Sequence, residues 1–160
     1  MKKPTPLTTI AILTALCLGL SSSEALAGAT AAGTTCERVS GGLLEYQNTA
    51  VAVNAAGTVV TCPITVDHTL STTVTFRVWM GDGSNDANWT CNGYIHGAGG
   101  AQLAVTPNIT SSACGSAPNT CMGEAQATVA APHPSYIYTV QCVSPGSGVS
   151  YSSVESVRVY

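Results

Sequence analysis

The chain has 160 residues, only 8% of them charged, and a formal net charge of −3. Beyond residue 27 it holds no lysine, and its cations are Arg38, Arg77 and Arg158. Such a surface can hold no basic patch, which excludes nucleic acid and anionic membrane as natural partners; the length fits one domain that can bury roughly two thirds of its surface.

The N-terminus has the grammar of a secretory leader. Lys2 and Lys3 make it positive, and Ile10 to Leu20 is an apolar or small run too short to span a bilayer as a helix. Ala25 to Ala27, followed by Gly28, is a small-x-small cleavage signal. Residues 1–27 therefore read as a cleaved signal peptide and residues 28–160 as one mature domain, in a secreted, periplasmic or extracellular location with no transmembrane segment. Cys17 lies within the leader; acylation there would need a small residue before it, and Leu16 is large.

Six cysteines remain: Cys36, Cys62, Cys91, Cys114, Cys121 and Cys142. In an oxidising compartment an even set reads as disulfides that cross-link sheets. Cys114 and Cys121 bracket the turn-rich "GSAPNT" and form one expected pair. Cys36, Cys62, Cys91 and Cys142 supply two further bridges, in any of three pairings. Zinc would call for closer Cys-x-x-Cys or His-x-x-x-His spacings, which the chain lacks.

Strand signals follow in order. Leu43 to Gln47 and Ala50 to Asn54 come first. Thr58 to Val66, "TVVTCPITV", is largely β-branched, and Pro63 places it at an edge or on a bulge because proline cannot donate to a ladder. Asp67 and His68 begin the turn beyond it. In Thr72 to Met80, Val74, Phe76, Val78 and Met80 share one face while Thr73, Thr75, Arg77 and Trp79 share the other. Asn88 to His96 is aromatic and β-favouring, and "GDGSNDA" between these two has hairpin chemistry. If Cys91 points inward, Trp89 does too, and Tyr94 faces out. Ala101 to Val105, Ala125 to Ala130, Tyr136 to Val143 and Val154 to Tyr160 complete the set. Many short strands without intervening helices predict an all-β fold: a single disulfide-stapled antiparallel β-sandwich, with a barrel as the alternative.

Several of these segments, taken together, resemble a loose group of small exported bacterial proteins of no assigned activity. They are Cys36 near the mature start, the V-x-C-P-I strand at Val60 to Ile64, the late Y-x-V-x-C-x-x-P segment at Tyr138 to Pro145, and the closing S-V-R-V at Ser156 to Val159. The resemblance implies a disulfide-stapled β-sandwich and transfers no functional residues. The pair Cys114 and Cys121 is additional to it.

Candidate chemistry is sparse. Trp79, Arg77 and Tyr94 are expected on one outer surface, where they could form a platform for a carbohydrate or protein partner; the bland alternative is cross-strand packing. Asp82, Ser84 and Asp86 place oxygen atoms at alternate positions, as a weak calcium site would, but Ala87 stands where a calcium loop needs glycine. His68, His96 and His133 are scattered, with no paired-histidine motif for a metal. No G-x-S-x-G elbow occurs, and nothing local brings two of Glu37, Glu45 and Glu124 into one cleft. The expected function is that of an exported, non-enzymatic module acting by surface binding or by envelope or extracellular association, without a cofactor. The alternative is a small exported hydrolase or inhibitor.

Overall fold

A computed structural model describes residues 28–66, 70–82, 88–114, 119–145 and 152–160. Among the described residues, twelve strands are laid down in chain order. They are β1 (Ala29–Ala32), β2 (Glu37–Ser40), β3 (Leu44–Gln47), β4 (Ala50–Val53), β5 (Val59–Ile64), β6 (Thr73–Asp82), β7 (Thr90–His96), β8 (Gln102–Val105), β9 (Ile109–Thr110), β10 (Asn119–Thr128), β11 (Ile137–Val143) and β12 (Ser152–Val159). Two short 3-10 turns, Gly33–Thr35 and Ser111–Cys114, are the helical elements among the described residues. None is long or apolar enough to cross a membrane.

The strands form two six-stranded antiparallel sheets, packed as a sandwich and not closed as a barrel. Sheet A runs β10-β6-β12-β4-β3, with β1 also against β12. Sheet B runs β2-β5-β11-β7-β8, with β9 also against β7. Alternation sends one face of each strand into the shared core. Val74, Phe76, Val78 and Met80 enter from β6, and Val154, Val157 and Val159 from β12. Cys91 and Ile95 meet them from β7, Tyr138, Val140 and Cys142 from β11, and Val60, Cys62 and Ile64 from β5. The Phe76 ring lies against the β7 backbone at Gly93, where a Cβ atom would stand 2.3 Å from its Cγ. Trp89 is fully buried, as its registry with Cys91 predicts, and its indole donates to the Gly81 carbonyl at 3.2 Å.

Three expectations need correction. The first concerns the hairpin between β6 and β7. The two strands do not pair: β6 lies between β10 and β12 in sheet A, and β7 lies in sheet B. Turn-forming residues make a reversal cheap but do not choose which strand becomes the neighbour. The second concerns the staples. Cys36–Cys62 and Cys91–Cys142 are bonded: the second joins neighbouring strands of sheet B, the first ties the residue just before β2 to β5, and neither crosses between sheets. Cys91 and Cys142 stand directly opposite in register, with Cα atoms 4.0 Å apart. Cys121 is also disulfide-bonded; the side chain of Cys114 lies outside those described. The third concerns Pro63. Its strand β5 is interior, between β2 and β11, but β2 reaches only to Thr61. Beyond that point one side of β5 is open, so the missing proline donor leaves no partner unsatisfied.

Candidate functional site

The same alternation that fills the core exposes a second set of side chains on sheet B. Thr61 on β5, Thr139 and Gln141 on β11, Asn92, Tyr94 and His96 on β7, and Gln102 on β8 all point outward. Register then makes them neighbours. Gln141 lies opposite Thr61 and Asn92, Thr139 opposite Tyr94, and His96 opposite Gln102. Thr61, Tyr94, His96, Gln102, Thr139 and Gln141 line an open groove of about 440 Å³.

The groove is aromatic and polar, and none of its lining residues is Asp, Glu, Lys or Arg, although Glu37 of β2 borders it opposite Thr61. The Tyr94 and His96 rings lie nearly parallel, 20° apart, with centroids separated by 6.0 Å. Two apolar side chains extend this strip: Val105, opposite Tyr94, and Ile137, opposite His96, are 44% and 48% exposed. No Asp, Glu, Lys or Arg occurs in β5, β7, β8 or β11. Among the described residues, the side-chain polar atoms of Tyr94, His96, Gln102 and Gln141 take no hydrogen bond, whereas Asn92 is held by the Thr106 carbonyl and Asn108. A flat apolar strip flanked by free amides and hydroxyls can stack a ring and bind its polar substituents.

The predicted platform of Trp79, Arg77 and Tyr94 is divided by the two sheets. Arg77 and Trp79 share the outer face of sheet A, with the guanidinium 5.8 Å from the Trp79 ring. Tyr94 lies on the other side of the molecule, because β7 belongs to sheet B. The residues that join Arg77 are Glu124 and Tyr160. Arg77 donates through Nε (3.0 Å) and Nη2 (2.7 Å) to one Glu124 oxygen, and through Nη2 to the Tyr160 hydroxyl. Tyr160 in turn donates to that carboxylate at 3.2 Å. The hydrogen bond from Arg77 holds the Glu124 carboxyl below the usual glutamate range, and burial raises the Tyr160 phenol.

Other candidates stand apart. Glu124 on β10 and Glu45 on β3 occupy opposite edges of sheet A, and Glu37 is in sheet B. His133 is in the loop before β11, tilted against Tyr136, and its Nδ1 accepts from the Ser135 amide. No group of metal-ligating side chains gathers among the described residues. Ser84, Asp86, His68 and the side chain of Asp82 lie outside those described.

Reasoning from sequence finds Tyr94 but misses His96, Gln102, Gln141, Thr61 and Thr139. His96 could have been found, since it is two residues beyond Tyr94 on the same strand and so shares its face. The others become neighbours only through strand order.

No family model matches the chain, and no curated protein matches it. Solved structures do. The C-terminal CBM6 of LamC, a marine laminarinase from Zobellia galactanivorans, superposes with a TM-score of 0.53 at 9% identity, over 82% of this chain and 98% of that one. A family 35 carbohydrate binding module from Clostridium thermocellum gives 0.50 at 9% identity, over 83% and 97%. At such identity the likeness is one of fold: this chain is built as a β-sandwich of the same kind.

Proposed function

We propose that the chain is an exported, non-enzymatic module that binds a neutral polysaccharide in the sheet B groove. The observation that carries the proposal is the Tyr94–His96 pair set between the unpartnered amides of Gln102 and Gln141, on strands that carry no Asp, Glu, Lys or Arg. Sugar rings present apolar C–H faces to aromatic rings and hydroxyls to amides. A glycan without charge incurs no ion-desolvation cost on such a floor. Two further observations support it. The fold is shared with modules whose names state that they bind carbohydrate. The leader-like N-terminus and the disulfides suit an exported life among extracellular glycans.

The test is titration calorimetry and affinity electrophoresis of the mature chain against soluble β-glucan, xylan and mannan, with Tyr94→Ala and Gln141→Ala beside the wild type. At least one neutral polymer should bind. Tyr94→Ala should weaken it about tenfold or more, as loss of a central aromatic contact does, and Gln141→Ala less. Wild-type protein that binds none of them, or a Tyr94→Ala variant that binds as well, would remove the groove from the function.

A further inference from the structure

We propose a second ligand site on the outer face of sheet A, where Arg158, Arg77 and Trp79 receive a carboxylate-bearing sugar, a hexuronate. This site is independent of the sheet B groove and stands or falls without it.

The case begins with a charge imbalance. Register places Arg77 of β6 directly opposite Arg158 of β12. Like charges so placed repel, and a sheet ordinarily avoids the pairing. Two carboxylates share this outer face: Arg77 engages Glu124 through both Nε and Nη2, while Glu155, further along β12, accepts from the Thr120 hydroxyl and reaches neither arginine. Arg158 has no ion pair among the described residues, and its Nε is buried without a hydrogen-bond partner. The arrangement holds together through the Tyr160 ring, which lies 5.0 Å from the Arg77 guanidinium and 5.4 Å from that of Arg158. Two of the three arginines beyond residue 27 thus sit side by side on a chain that is acidic overall. The few cations exclude an extended basic surface, but the fold gathers a small positive spot that counting residues does not reveal.

The surroundings indicate what kind of anion fits. Trp79, half-buried, is two residues from Arg77 on the same face, with Met122 and Ser156 opposite it on β10 and β12. Met122 is 43% exposed. A flat indole, a hydroxyl and an uncompensated guanidinium on adjoining strands match the ring, hydroxyls and carboxylate of a uronate. An acidic peptide is the poorer match. β6 is paired on both sides, by β10 and β12, and β12 by β6 and then by β4 and β1. These interior strands have no free ladder for an extended backbone to join.

The experiment uses the mature chain with D-glucuronate and polygalacturonate as probes, against glucose and poly-L-glutamate, followed by calorimetry and by the arginine Nε–H and indole N–H signals in two-dimensional NMR. Polygalacturonate should bind and shift the Arg158 and Trp79 signals. Its affinity should fall as salt rises, and excess neutral β-glucan should not displace it. Arg158→Gln should lower its affinity about tenfold or more. Should that variant fold poorly, Trp79→Ala serves instead, and the same loss is expected. Absence of polygalacturonate binding, equal binding of poly-L-glutamate, or full binding by both variants would overturn the proposal.

Discussion

Sheet B contains both disulfides whose two partners are described, and the strands under its groove carry no charged side chain. Sheet A presents an outer face tied by Arg77, Glu124, Tyr160 and Trp79. Sheet A is built around β6 and β10, each 10 residues long and paired along their whole length. Short members occur in both sheets: β1, β3 and β4 of sheet A and β2 and β8 of sheet B have 4 residues each, and β9 has 2. The Cys91–Cys142 link lies on the fully paired β7–β11 ladder and the Cys36–Cys62 link beside the short β2–β5 ladder, so the staples add to hydrogen-bonded pairing. Because the links point into the core, they leave the groove on the outer face of sheet B open. A stiff floor also loses little conformational entropy when a ligand settles on it.

The largest expected effect tests the staples. Cys91→Ala with Cys142→Ala opens a bridge of sequence separation 51, and Cys36→Ala with Cys62→Ala opens one of 26. Chain entropy predicts losses of about 4 and about 3.5 kcal/mol, because doubling a loop adds only about 0.6 kcal/mol. The two loops do not overlap in sequence, so the losses should add. Urea denaturation measures both, and a larger loss from the shorter loop would place the strength of the staples in local packing.

Smaller, and aimed at the seam between the sheets, is Gly93→Ala. Its new Cβ would meet the Phe76 ring well inside contact distance. Overpacking of this kind typically costs about 1–3 kcal/mol. Phe76→Leu in the same chain should recover part of that, giving a positive coupling in a double-mutant cycle. Additive losses would mean that the ring shifts freely and that the two sheets meet less tightly than their geometry indicates.

How much of this is legible in the sequence depends on how far apart the partners are. Local periodicity reads well: Thr72 to Met80 alternates cleanly and becomes β6, with the expected face buried. β2 escapes because Glu37 to Ser40 is exposed throughout and carries no period. β10 reads as Ala125 to Ala130 because Gly123 and its small neighbours dilute the pattern of a strand that runs from Asn119 to Thr128. Pairing is where local rules stop. Alternation says which side of a strand Tyr94 takes, but not which sheet the strand joins, and that choice separates Tyr94 from Trp79. The groove draws on β5, β7, β8 and β11, and most of its wall is invisible until the strand order is known.

The smallest expected effect returns to the outer face of sheet A. Glu124 is bound in its ionised form by Arg77 and Tyr160, so its folded pKa lies below the unfolded value. A carboxyl lowered in this way stabilises the fold at neutral pH, and that contribution disappears as pH falls through the ordinary glutamate range and below it. Its size is modest, because the side chains of Arg77 and Glu124 are 27% and 46% exposed and solvent screens the pair. Glu124→Gln removes the titrating group while keeping its shape. Thermal melts from neutral to acidic pH should show the variant slightly less stable than wild type at pH 7, with the gap closing on acidification. High salt should shrink the gap at neutral pH as well. Parallel melting curves would mean that Glu124 orients Arg77 without stabilising the sheet, and the two faces would then differ in what they present to a ligand but not in how they are held.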